Sequence, residues 1–305
     1  MTTRTVPADF DQFWEDLAAR ARAVTPDCTR EPIGPGIELI RYTSLDGFRV
    51  GAWLVLPGGD SGADVPVTSV VVNVHGYGGR GQLEPEFVPA GAACLYPAAR
   101  GLPELSLDAA IPVVTAEHVV HGIESRESYV LGGCTADTVF CALNALTELL
   151  GRPLGERHGG LRVGLYGGSF GGGIAALGAP WDDRIDAVAL QVPTFGNNPE
   201  RVAVDCTGST AAVAAHLLDH PEAWPVLDYF DAATAAARIT VPTLIAPALR
   251  DPGVPPVGQW AVARAVPEAL RTITPLTAGH VDATPALERE KAAFAGDVRD
   301  LLSAE

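Results

Sequence analysis

The period of the apolar positions changes along the first third of the chain. Over residues 8–23 (ADFDQFWEDLAARARA), Phe10, Phe13, Trp14 and Leu17 recur at helical spacing with charges between them, which predicts an amphipathic helix. Ile37–Thr43 and Phe48–Leu56 are apolar runs separated by Asp46-Gly47. An Asp-Gly between such runs predicts two antiparallel strands joined in a hairpin. Val67–His75 (VTSVVVNVH) is instead a β-branched run of the kind that parallel strands show when both faces are covered. Ala92–Tyr96, Leu161–Tyr166, Ile185–Val192, Thr243–Pro247 and Arg271–Pro275 read as further strands. Helical segments lie between them at 129–150, 171–179, 257–266 and 284–303.

Strands alternating with helices predict an α/β architecture, a mostly parallel central sheet with helices on both faces. Thr194 to Arg238 breaks that rhythm. The segment is too long for a simple loop and carries Trp224, Tyr229 and Phe230, so it reads as a helical insertion or cap before the next strand. With no repeat or linker in sight, residues 1–305 read as one domain with an insertion at about 194–238.

Composition narrows the function classes. A net charge of −16 disfavours nucleic acid and anionic membrane surfaces as partners. Cys28, Cys94, Cys134, Cys141 and Cys206 are scattered without a CxxC pair, which predicts reduced thiols and a cytoplasmic setting. The start, MTTRTVPADFDQFWEDL, carries no apolar signal core after its lone arginine, so no secretory leader is expected. No uninterrupted apolar run reaches the roughly 18 residues of a spanning helix.

The chemistry starts at Leu165–Gly173, LYGGSFGGG. Gly167-Gly168-Ser169-Phe170-Gly171 fits G-x-S-x-G where a strand gives way to a helix, the setting of a nucleophile on a strained turn. Side chains at 167 and 171 would strike the neighbouring strand and helix, which accounts for glycine at both. A glycine-rich strand–helix loop with an incidental serine is the bland alternative, and the strand–turn–helix context argues against it.

A serine hydroxyl needs a base and an orienting acid, which follow it in the order acid, histidine. Only His216, His220 and His280 lie beyond Ser169. His280, in LTAGHVDA, follows the last strand and becomes the candidate base. His216 and His220, one helical turn apart, lack a third metal ligand and read as a solvated face. Asp251, directly after the strand Thr243–Pro247, is the candidate acid, with Asp228 and Asp231 as competitors inside the insertion. The oxyanion donors are read as the N–H groups of Phe170 and of Tyr77 in His75-Gly76-Tyr77-Gly78-Gly79. Gly76 and Gly78 are expected to tolerate no bulky replacement. The same loop satisfies GxGxxG over residues 76–81, but Pro85 and Pro89 interrupt the helix that a dinucleotide would need.

With these residues placed, the chain resembles the acetyl xylan esterase and cephalosporin-C deacetylase family, carbohydrate esterase family seven, of α/β-hydrolase fold. The matching stretches are DFDQFWEDL (9–17), HGYGG (75–79), HVVHGIESRESYVLGGCTADTVFCALNAL (118–146), GGSFGGG (167–173), YFDAATAAARITVPTLI (229–245), LRDPGVPP (249–256) and AGH (278–280). The resemblance implies that Ser169, Asp251 and His280 form the triad and that Tyr77 and Phe170 supply the oxyanion donors. It further implies removal of small acyl groups, chiefly acetyl, from sugars and cephalosporin C without a metal or organic cofactor. A ring-shaped homo-hexamer follows from the same likeness. Two positions depart from the family: Leu102 replaces the glutamine of Arg-Gly-Gln, and Phe170 replaces a glutamine after the nucleophile. Both suggest a less polar pocket wall and keep open a tailoring hydrolase or thioesterase acting on an apolar acyl group. A peptidase would need a separate gating domain, and a non-catalytic binder would have no use for an intact triad.

Overall fold

The computed structural model describes residues 4–59 and 65–303. Met1–Thr3, where the reading for a leader begins, lie outside the described residues. Among the described residues, nine strands form one sheet in the order β1-β2-β3-β5-β4-β6-β7-β8-β9. In chain order they are β1 (Thr29–Gly34), β2 (Ile37–Thr43), β3 (Arg49–Val55), β4 (Ser69–Val74), β5 (Ala92–Pro97), β6 (Arg162–Gly168), β7 (Ala187–Gln191), β8 (Thr243–Ala246) and β9 (Arg271–Ile273). The first three and the β3–β5 pair are antiparallel, and every pairing from β5 through β4 to β9 is parallel. At the hairpin, Asp46 and Gly47 both take positive φ, 59° and 76°, the left-handed turn that Asp-Gly favours. Strand β1 was not read from the sequence. It is exposed along its whole length and carries Arg30, Glu31 and Pro32, so no apolar pattern marks it.

The central parallel strands are buried on both faces, while β9 at the edge is not. Val70, Val72 and Val74 of β4 point into one apolar layer and Val71 into the other. The first layer holds α1 (Phe10–Arg22), α3 (Val130–Thr135), α4 (Cys141–Leu150) and α5 (Phe170–Gly178). A short helix, α2 (Thr115–His118), precedes α3. The run Val130–Leu150 is long and apolar enough to cross a membrane, but 83% of its most apolar window is buried inside the protein. Its middle turn, Ala136–Phe140, is a π-helix that sets Asp137 against Arg100, with Nη2–Oδ1 at 2.8 Å and Nε–Oδ2 at 2.9 Å.

Between β7 and β8 come α6 (Asn198–Arg201), α7 (Ser209–Asp219), α8 (Trp224–Leu227) and α9 (Ala232–Ala236). Ala232, Ala235 and Ala236 of α9 and Val213 and Leu217 of α7 are buried in the first layer, and α7 also packs on α2. After β8 comes α10 (Pro256–Ala265), which packs against α9. The C-terminal α11 (Pro285–Leu302) covers the opposite face through Phe294, Val298 and Leu302.

Candidate active site

Four loops at the carboxyl ends of β4, β6, β8 and β9 meet at one point, where open α/β sheets bind their ligands. Ser169 sits between β6 and α5 at φ 56°, ψ −116°, a conformation that costs a non-glycine residue about 1–3 kcal/mol. The elbow closes because Gly167 and Gly171 have no side chains. A Cβ on Gly171 would collide with the carbonyls of Val74 and His75, and one on Gly167 with the carbonyl of Gly171.

His280 Nε2 lies 2.9 Å from Ser169 Oγ, and His280 Nδ1 lies 2.8 Å from Asp251 Oδ2. An ionised carboxylate only accepts, so Nδ1 carries the proton and the Nε2 lone pair faces the serine hydroxyl. The Asp251 side chain is fully shielded from solvent while a third of the His280 side chain remains open. Burial works to raise the Asp251 carboxyl, but hydrogen bonds from His280, Val254 N–H and Gly253 N–H prevail and hold it below the usual carboxylate range. Gln259 Nε2 adds a further donor to Oδ2 at 2.9 Å. The histidine loop is pinned to the acid loop by Gly279 N–H to Arg250 O, 2.8 Å, and Leu249 N–H to Leu276 O, 2.9 Å. Gly279 passes so close to Asp251 that a Cβ there would strike Oδ2.

Asp228 and Asp231, the competing acids, have other partners. Asp228 accepts two bonds from Arg4, at 2.6 and 2.5 Å. Asp231 caps α9 through the N–H groups of Ala233 and Thr234 and accepts from Asn198 N. His216 and His220 stack at 4.6 Å, with His220 bonded to Glu222, and no group of three metal-ligating side chains exists among the described residues.

The N–H groups of Tyr77 and Phe170 donate no hydrogen bond among the described residues, and both residues border a cavity of about 650 Å³ that also reaches Ser169 and His280. His75 sets the direction of the first. Its Nε2 accepts from Ala99 N at 3.0 Å, which leaves Nδ1–H to donate to Gly76 O at 2.5 Å. Because the peptide unit is planar, holding the Gly76 carbonyl also aims the Tyr77 N–H. Burial lowers the His75 imidazole to about 3, so it stays neutral in this role. The Tyr77 hydroxyl donates to His118 Nδ1 at 3.2 Å, and His118 Nε2–H donates to Arg100 O at 3.0 Å. Sequence reading missed the roles of His75, His118 and Gln259; a fully buried Gln in α10 was the one local hint, and burial is not visible in a single sequence.

Two readings of the loop need refinement. A Cβ on Gly78 would meet nothing within 4 Å and one on Gly76 only ordinary contacts of 3.8 and 3.9 Å, so the protein itself leaves room for a methyl at either position, while both border the cavity that a bulkier side chain would enter. The tight residue is Gly79, at φ 80° against the Pro103 carbonyl. Leu102 is fully buried in the core and does not border the cavity, so the apolar wall owes nothing to it. Phe170 does border the cavity, its ring 4.4 Å from that of Tyr77. No helix follows residues 76–81; the chain turns through a short 3-10 segment at Pro85–Phe87 into β5, which removes the dinucleotide reading.

Comparison with known proteins agrees with the fold. Residues 1–295 match the family model for acetyl xylan esterase (AXE1). An acetyl xylan esterase from Paenibacillus sp. R4 superposes with a TM-score of 0.78 at 22% identity, over 97% of this chain and 96% of that one. Acetyl xylan esterase 1 from Thermoanaerobacterium sp. JW/SL YS485 gives 0.77 at 19% identity, over 97% and 95%. An acylaminoacyl peptidase from Pyrococcus horikoshii gives 0.64 at 15% identity, but only 43% of that longer chain is matched.

Proposed function

The chain belongs to the acetyl xylan esterase family, which makes it a carboxylic ester hydrolase, and on that premise we propose that Ser169 is the nucleophile that takes acetyl groups from sugar esters. The observation that carries this reading is the unbroken line from Ser169 Oγ through His280 to Asp251, at 2.9 and 2.8 Å. His280 Nε2 takes the hydroxyl proton as Oγ attacks the ester carbonyl, and Asp251 stabilises the imidazolium. The negative charge that builds on the carbonyl oxygen is met by the Tyr77 and Phe170 N–H groups, which have no other partner among the described residues. Collapse expels the sugar hydroxyl with the proton from Nε2 and leaves acetyl-Ser169. Water, activated by the same imidazole, then attacks the acyl carbon and releases acetate.

Phe170, Ala116, Ala211, Ala212 and Val254 give the cavity an apolar wall, which favours a second reading in which the acyl chain is longer and apolar. A panel of acyl lengths on one alcohol separates the two. A cephalosporin acetate is a further ester that the same chemistry would open. The five cysteines are all unpaired, which supports a reducing, cytoplasmic setting.

The decisive experiment compares Ser169→Ala with wild type on p-nitrophenyl acetate and an acetylated xyloside, with circular dichroism to check the fold. Turnover is expected to fall by at least about 1,000-fold. A folded Ser169→Ala protein that works at the wild-type rate refutes the assignment, as does failure of a fluorophosphonate to label Ser169 in the wild type.

A further inference from the structure

Among the described residues, six side-chain polar atoms are buried without a hydrogen-bond partner: Ser44 Oγ, Ser69 Oγ, Asn73 Nδ2, Arg80 Nε, Arg162 Nε and Thr194 Oγ1. Of these residues only Thr194 borders the cavity beside Ser169. A buried hydroxyl without a partner weakens the folded state, so its persistence at this place needs a reason. Thr194 is also tied to the nucleophile, since its N–H donates to the Ser169 carbonyl at 3.2 Å. On the other side its methyl lies against α5, where a Cβ added to Gly173 would stand 3.0 Å from Cγ2.

The backbone around it carries a second cost. Val192 and Phe195 take φ of 40° and 66°, in the left-handed region that a β-branched or bulky residue rarely enters. Such strain persists where the surroundings hold it in place, and it gathers at ligand sites. An orphaned hydroxyl and two strained residues thus fall within four positions of one segment, next to the elbow. Elsewhere the wall combines apolar Ala116, Ala211, Ala212 and Val254 with the hydroxyl residues Thr115, Ser209 and Thr207, the last donating to Pro252 O at 3.1 Å; Thr194 is the one whose hydroxyl is buried without a partner among the described residues.

We propose that the Thr194 hydroxyl is a specificity-determining group that hydrogen-bonds the alcohol part of the bound ester. The choice of partner follows from counting acceptors. An acetyl group offers one strong acceptor, its carbonyl oxygen, and the Tyr77 and Phe170 amides take that one. A partner for Thr194 must therefore come from the alcohol, and a hydroxyl next to the scissile ester, as in a partly acetylated sugar, provides both donor and acceptor. The inference rests on the sugar-ester reading above.

The test uses wild type, Thr194→Val, Thr194→Ala and Thr194→Ser on two substrates. One is a mono-acetylated methyl xyloside with a free hydroxyl beside the ester; the other is p-nitrophenyl acetate, whose alcohol has none. The ratio of kcat/KM for the xyloside to that for the aryl acetate is expected to fall about 10-fold in Thr194→Val and Thr194→Ala, and Thr194→Ser is expected to restore most of it. The Tm of Thr194→Val should be unchanged or higher, because the substitution deletes an unpaired buried hydroxyl. A ratio within about twofold of wild type in the folded Val and Ala variants, or a Ser variant as impaired as Val, overturns the proposal alone. Wild type that cleaves the aryl acetate but not the xyloside overturns the sugar-ester reading, and this proposal with it.

Discussion

Replacing Asp251 with asparagine tests the hydrogen-bond directions of the site more sharply than deleting any one side chain. The carboxylate accepts four donors besides any solvent: Gly253 N and Val254 N on Oδ1 at 2.8 and 2.9 Å, His280 Nδ1 and Gln259 Nε2 on Oδ2 at 2.8 and 2.9 Å. An amide has only one oxygen to offer. Backbone donors cannot turn away, so the Asn oxygen takes the Oδ1 place and its NH₂ takes the Oδ2 place. Gln259 cannot rotate to accept from it, because its Oε1 holds Ala248 N at 2.7 Å and its Nε2 holds Val254 O at 2.8 Å. The new NH₂ then donates to His280 Nδ1 and forces the proton onto Nε2, where it faces Ser169 as a donor and cannot accept. The wrong tautomer in a serine triad lowers kcat by about 10⁴, close to 5.4 kcal/mol at 1.36 kcal/mol per decade. The NH₂ facing Gln259 Nε2–H adds about 1–3 kcal/mol of destabilisation. Steady-state kcat on p-nitrophenyl acetate, with Tm on the same preparations, reads both effects. A folded Asp251→Asn protein that keeps kcat within about 10-fold of wild type refutes the tautomer argument.

Gly171→Ala places a Cβ on the Val74 and His75 carbonyls, neither of which can yield without bending β4, so Tm should fall by several degrees or the protein should fail to fold; an unchanged Tm refutes the close packing of the elbow. Tyr77→Phe keeps the backbone N–H and removes only the bond to His118, so kcat should drop by less than about 10-fold, against the roughly 100- to 1,000-fold typical of a lost oxyanion donor. A larger loss assigns the phenol itself to the chemistry. His75 titrates near 3 when folded and at the ordinary 6.5 when unfolded, so the unfolded chain binds the extra proton between those values and stability falls as pH drops through them. Urea unfolding should show about 2 kcal/mol less stability at pH 5 than at pH 8 from this residue, and His75→Gln should remove that share of the slope. An identical slope in the variant rules out a neutral buried His75.

The parts of the fold that could be read ahead of the structure are those in which one residue type meets a local demand. Strands β4 and β5 are buried on both faces, so apolar residues stand at consecutive positions (Val70, Val71 and Val72; Ala92 to Tyr96), and Asp46-Gly47 fits a turn that only a few residues enter. Strand β1 is different. It pairs along one edge, exposes every side chain, and could have carried almost any polar sequence, including Pro32. The helix at Val130–Leu150 was legible as one apolar stretch, but its π turn was not, because that turn serves the Arg100–Asp137 pair, whose partners are 37 positions apart.

The same distinction separates the two layers of the site. Ser169 could be singled out because an elbow imposes glycines within two residues of it, and Asp251 and His280 because each lies in the loop that leaves a strand. The residues that orient them meet no local rule. His75 acts on the carbonyl of its neighbour, but only a ring held by Ala99, 24 positions on, makes its Nδ1 the donor. Gln259 lies eight residues from Asp251 yet works through a bond to Ala248 that fixes which end of the amide faces the carboxylate. Within the GYGG loop the glycine that the protein's own packing demands is Gly79, which must pass the Pro103 carbonyl, whereas Gly76 and Gly78 face the cavity and leave room for a Cβ. A motif therefore locates the groups that react, since their chemistry fixes residue type. Direction comes from partners whose type is free to vary so long as one proton ends on the right atom, and those partners are visible only once the chain has folded.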